Sequence, residues 1–95
     1  MAYPFNTATL LPLLKIDLGI TATAFDNRLT NALETAMERI EAEGATLENT
    51  ASDRDLVLMY AAWLWRCRVD QAPMGRMLRQ ALNNRVIRET AEAAP

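Results

Sequence analysis

The chain has 95 residues, a net charge of −2 and a single cysteine. That length accommodates one domain, which buries roughly 60–70% of the surface its unfolded form exposes, enough for one modest core. Cys67 alone cannot form an internal disulfide, which fits a reducing compartment. The absence of histidine removes the commonest general base and the commonest zinc ligand.

Ala, Leu and Met dominate the apolar half of the composition, and Gly and Pro are scarce, with three and four copies. Such residues lose little side-chain entropy in a helix, while the β-branched and aromatic residues that fill sheets are few. The expectation is an all-α fold, a small bundle of about four helices in a single domain, with segments 1–8 and 90–95 fraying. The longest uncharged apolar run, Leu56 to Trp65, has ten residues, against the ~20 of a bilayer span. Met1 to Phe5 lacks the basic start of a signal peptide, so the sequence predicts a chain that stays in the cytoplasm.

The first helix is expected over about Leu10 to Asp17. A start at Asn6 would set the Pro12 ring against the preceding turn, so Thr9 is the expected cap and Gly19 the stop. The second helix opens on a pair resembling a capping box, Thr23 and Asp26. Phe25, Leu29, Leu33, Ala36, Met37 and Ile40 then recur at three- and four-residue steps and trace one apolar stripe. Gly44 ends it, and a polar loop over Ala45 to Ser52 follows.

Thr50 with Asp53, or Ser52 with Asp55, is positioned to cap a third helix that runs to about Asp70. Leu56, Tyr60, Trp63 and Cys67 form one seam of it, and Val57, Ala61, Leu64 and Arg68 a second. A helix apolar nearly all round needs cover on more than one side, more than three small neighbours are expected to give. Pro73 opens a fourth helix with the stripe Met74, Met77, Leu78, Ala81 and Leu82. Asn83 and Asn84 are poor helix residues, so an end or bend is expected there. Val86 and Ile87 beyond them either extend the helix or form an arm that packs on a neighbour.

Little in this pattern carries catalysis. A lone cysteine on an apolar helix reads as a small core residue rather than a nucleophile. Glu34, Glu38, Glu41 and Glu43 would hold a metal only if a second helix supplied partners, so a solvated face is the simpler reading. Gly19, Gly44 and Gly75 are isolated and make no phosphate loop. No enzyme activity, cofactor or metal is expected.

Binding is the better expectation. Residues 1–55 balance at −5 and residues 56–95 at +3, a division that suits head-to-tail contact between copies or marks two solvated faces. Trp63 and Trp65, two apart on a helix, point about 200° from each other. Either both are core, or Trp63 fills the core while Trp65 anchors a partner, as Trp does beside Arg. The residues singled out for self-association or partner contact are Trp65, Arg68, Arg76, Arg79 and Arg85. Arg76, Arg79, Arg85 and Arg88 would also suit DNA phosphates, but the chain is acidic overall and shows no compact helix-turn-helix pair.

Four segments carry a resemblance over roughly residues 10–88: LLPLLKIDLGI, ALETAMERIEAEG, LVLMYAAWLWRCR and APMGRMLRQALNNRV. The most specific parts are YAAWLWR, from Tyr60 to Arg66, and PMxRMLRxxLNNR, from Pro73 to Arg85. Together they resemble the small head–tail connector, or adaptor, proteins of long-tailed phages and prophages. The resemblance implies a helical virion protein made in the bacterial host cytoplasm. It would form a homo-oligomeric ring beneath the portal protein and dock a stopper or tail-completion protein. DNA would pass through the channel without being read, and no membrane is involved. No catalytic or ligand position carries over. Two rival expectations are a small helical DNA-binding regulator of a prophage and a generic helical interaction adaptor.

Overall fold

The computed structural model describes residues 5–70 and 74–93, with side chains over 5–67 and 74–91. Among these residues four helices follow one another: α1 (Thr7–Leu18), α2 (Asp26–Ala42), α3 (Ala51–Asp70) and α4 (Arg76–Ala93). No strand occurs among the described residues, so the fold is the small all-α bundle expected. The central helix is α3: α1 and α2 pack on it and on each other, and α4 packs against α3.

α1 begins a turn earlier than Pro12 led us to expect. The Asn6 side chain accepts the Ala8 N–H at 2.9 Å, and its carbonyl accepts from Thr9 (2.9 Å) and Leu10 (3.2 Å). This cap satisfies donors that a helix start leaves unpaired. Pro12 lies inside the helix on its exposed side. At the other end Gly19 adopts φ 70°. Its N–H reaches the Ile16 carbonyl, and that of Ile20 reaches Lys15, the paired bonds of a Schellman stop.

The Thr23–Asp26 capping box does not form. Phe25 stands at the N-cap of α2 with no side-chain cap bond, and Thr23 offers only its backbone carbonyl to Asp26 N–H. The Asp26 carboxylate instead takes Lys15 Nζ at 2.9 Å and ties α2 to α1. The ion pair sets a full positive charge against the carboxylate where the cap would offer only an amide dipole, so Lys15 competes well for it. The stripe itself is as read: Leu29, Leu33, Ala36, Met37 and Ile40 are all buried. Phe25, expected on it, is exposed.

The loop after α2 is less polar than its sequence, for Ala45 and Leu47 are both in the core. Thr50 caps α3 through its Oγ1, which accepts the Asp53 N–H at 3.2 Å. The Asp53 side chain does not reciprocate; it turns inward. Leu56, Val57, Leu58, Tyr60, Ala61 and Ala62 are all buried, so α1, α2 and α4 cover most of the apolar start of α3, while Met59 is left exposed and Trp63, Leu64 and Trp65 are half-buried. The most exposed large apolar side chains among the described residues are Ile16 on α1 (75% exposed) and Met77 (78%) and Ile87 (65%) on α4.

α4 corrects two readings. It runs without a break through Asn83 and Asn84 to Ala93, so Val86 and Ile87 extend it. Its buried line is Leu78, Leu82 and Arg85, with Ala81, Val86 and Glu89 half-buried, whereas Met77 faces out. Pro73, expected to open this helix, lies outside the described residues, as do 1–4 and 94–95.

Candidate protein-interaction surface

The five residues singled out from sequence do not form one site. Arg85 is inside the protein, 6% exposed, opposite Asp53 at 1%. Its Nε donates to Asp53 Oδ1 at 2.9 Å and its Nη2 to Asp53 Oδ2 at 3.3 Å and to the Thr46 carbonyl at 2.7 Å. Its Nη1 donates to Glu89 Oε2 at 2.7 Å, one turn along the same helix. Asp53 Oδ2 also accepts the Glu48 N–H at 2.8 Å. One guanidinium thus joins α3, the 43–50 loop and α4. The fork geometry of arginine is what permits it, since lysine offers no such planar set of donors.

The cluster is fully paired: no buried side-chain nitrogen or oxygen among the described residues lacks a hydrogen-bond partner. Hydrogen bonding to Asp53 holds the Arg85 guanidinium well above its ordinary pKa, against the opposing pull of burial. The bond from Arg85, with Thr46 adding to it, holds the Glu89 carboxyl below the usual carboxylate range. A group so engaged is a structural clamp, and Arg85 is not available at the surface.

Gly44 belongs to the same junction. Its φ of 116° is closed to most side chains, and a Cβ there would stand 3.5 Å from Val86 Cγ1. Beside it, the Leu47 N–H reaches Glu41 Oε2 at 3.2 Å, which draws the loop back onto α2.

Trp65 is half-buried. Its ring meets Phe25 edge-on at 5.5 Å and 69°, just as Trp63 meets Tyr60 at 5.5 Å and 87°. The two indoles therefore have separate aromatic neighbours and comparable burial, rather than one core and one surface position. Trp65 and Leu64 also line a shallow hollow of about 300 Å³ with Arg28, Asn31, Ala32 and Thr35 of α2. Arg68 falls where side chains are outside the described residues.

Arg76 and Arg79 are exposed at the start of α4. Arg79 is 3.9 Å from Glu43, with both side chains a little under half exposed, a contact of little energetic weight. Along the outward side of α4, Arg76, Gln80, Asn83 and Ile87 recur at four-, three- and four-residue steps, with Met77 and Arg88 flanking them; all six are exposed. On the opposite charge side, Glu34 and Glu38 stand exposed one turn apart on α2. No group of three or more His, Cys, Asp or Glu residues among the described ones is arranged to hold a metal. No helix among them is long and apolar enough to cross a membrane.

No protein-family model matches the chain, and no curated protein or solved structure is similar to it.

The sequence reading missed the Asp53–Arg85 pair. A signal was present: Arg85 stands three residues after Leu82 and seven after Leu78, squarely on the buried line of α4. Nothing local pointed to Asp53, 32 positions away.

Proposed function

We propose that this chain is a non-enzymatic structural protein, a head–tail connector subunit of a long-tailed phage or prophage. In this reading it binds its own copies, the portal protein and a stopper or tail-completion protein, and lets DNA pass unread. The segments from LLPLLKIDLGI to APMGRMLRQALNNRV support the connector identity by resemblance. The observation that carries a binding role is the outer face of α4, where Met77 and Ile87 stand in solvent among Arg76, Arg79 and Arg88. Large apolar side chains interleaved with arginine make the composition of a protein-binding patch.

The test is to mix the purified chain with the portal protein of the same genome, which the connector reading requires, and to examine the mixture by negative-stain microscopy and co-sedimentation. Rings of the chain seated on the portal are the expected result. Failure to bind the portal overturns the connector reading. A gel-shift assay separates the rival: nanomolar, sequence-specific duplex binding would favour a DNA-binding regulator, because non-specific contacts reach only about 10⁻⁴ to 10⁻⁶ M at physiological salt.

A further inference from the structure

We propose that copies of this chain join head to tail, with the outer face of α4 laid antiparallel on the α2 side of the next copy. Ile87 would seat in the hollow beside Trp65. This rests on the reading of the chain as a subunit that binds its own copies, and it names the two surfaces.

The two faces are complementary in charge and shape. The α4 face is basic at its N-terminal end, through Arg76 and Arg79, and carries an exposed apolar side chain, Ile87, two turns further on. The α2 side has the reverse: exposed carboxylates at Glu34 and Glu38, and towards the helix start a hollow floored by Ala32, Leu64 and Trp65.

Spacing supports one register. At 1.5 Å per residue, Arg79 and Ile87 are about 12 Å apart along α4, and Glu38 and Ala32 about 9 Å apart along α2. With the helices antiparallel, Arg79 meets Glu38 when Ile87 reaches the hollow, and the Asn83 amide stands opposite Glu34. The reverse direction, with Ile87 in the hollow, would carry Arg76 and Arg79 past the start of α2 and away from Glu34 and Glu38. In the antiparallel arrangement Arg28 faces the last turns of α4, where the helix dipole favours a cation and Arg88 opposes it. Joined head to tail, the contact closes into a ring or runs on as a filament, whereas a reciprocal twofold pairing of the same two faces would stop at a dimer.

The experiment is pairwise disulfide trapping in a Cys67→Ala background, with circular dichroism to show that each variant folds. Ile87→Cys and Ala32→Cys are made on separate chains. Oxidising the mixture should give a linked dimer, while either variant alone should give far less. Placing both substitutions on one chain should give a ladder of multimers. Arg79→Glu should lower the trapped yield about tenfold, as like charges then face each other, and adding Glu38→Arg on the partner chain should restore it. If Cys67→Ala does not fold, sedimentation of Ile87→Glu and Glu38→Arg with Cys67 in place decides. Each alone should stay monomeric where the parent associates, and their mixture should stop at dimers. No mixed cross-link, a stronger cross-link within either single preparation, or a parent that stays monomeric in that sedimentation overturns the proposal. Trapping without portal binding keeps the interface and removes the connector reading; portal binding without trapping does the opposite.

Discussion

α2 and α4 are nearly equal in length, 17 and 18 residues, and both lie against α3, yet they are held there by different physics. α2 buries five apolar side chains in a continuous stripe. α4 buries two leucines and then an arginine whose partners come from two other parts of the chain. Apolar contact is tolerant of small shifts in register. A guanidinium with fixed donors is not, because a displacement of one residue would strand a charge in the interior. The comparison suggests a division of labour: α2 contributes stability, and Arg85 determines where along α3 the helix α4 must sit.

The largest effect should come from breaking the clamp. Arg85→Ala leaves Asp53 buried without its counter-charge, a change that typically costs about 3–5 kcal/mol out of the ~5–15 kcal/mol that stabilises a domain. The double variant Asp53→Leu with Arg85→Met removes both charges and should recover most of that loss, since paired replacement by apolar residues is often neutral. On α2, Leu33→Ala should cost about 2–5 kcal/mol through the cavity it leaves, with no second substitution able to restore it by charge removal. Urea melts of the four proteins check this. If the double variant is no more stable than Arg85→Ala, the pair does more than position a helix, and the contrast with α2 fails.

How legible the molecule was in its sequence follows the same division. α2 could be read almost to the residue because its stripe is purely apolar and its opposite face is charged. α4 could not. Arg85 interrupts the apolar period, and Asn83 and Asn84 have low intrinsic propensity, so local signals suggested an end that tertiary packing overrides. The start of α1 was misplaced for a related reason: the Pro12 penalty was visible locally, while the Asn6 cap and the burial of Leu10 and Leu14 had to be weighed against it. At Thr23–Asp26 the motif was real in sequence but its carboxylate had a stronger suitor in Lys15. Of the site residues, Arg76 and Arg79 were correctly seen beside the apolar stripe, but a position on that stripe was read as surface for Arg85.

An intermediate effect is expected at the indoles, which sharpen the comparison from the α3 side. Trp63 and Trp65 are both half-buried and both meet an aromatic ring edge-on. Trp63→Ala and Trp65→Ala should therefore destabilise the fold by similar amounts, each by less than the ~3–5 kcal/mol of a fully buried aromatic. Only Trp65→Ala should also reduce disulfide trapping between copies, because only Trp65 lines the hollow. A severe loss for Trp63→Ala with none for Trp65→Ala would restore a strict separation of core and interface indoles.

The smallest effect lies at Glu89, where the clamp meets solvent. Its carboxyl is held below the ordinary value by the hydrogen bond from Arg85. A carboxyl whose folded pKa is lowered contributes stability that is present above its unfolded pKa, about 4.3, and is lost as pH falls through the folded value. The raised pKa of Arg85 has no bearing on that range, since its contribution is fully present at every pH below the ordinary arginine value. Asp53 and Glu48 also face Arg85, so the informative quantity is the difference between Glu89→Gln and the parent rather than either acid curve alone. Near neutral pH the variant should be slightly less stable than the parent. The gap should narrow as pH falls below about 4 and close once the parent's carboxyl is protonated. Thermal melts from pH 7 downward measure this directly. A gap that stays constant with pH would mean that the Glu89 side chain acts through packing alone, and that the charge of the clamp ends at Asp53.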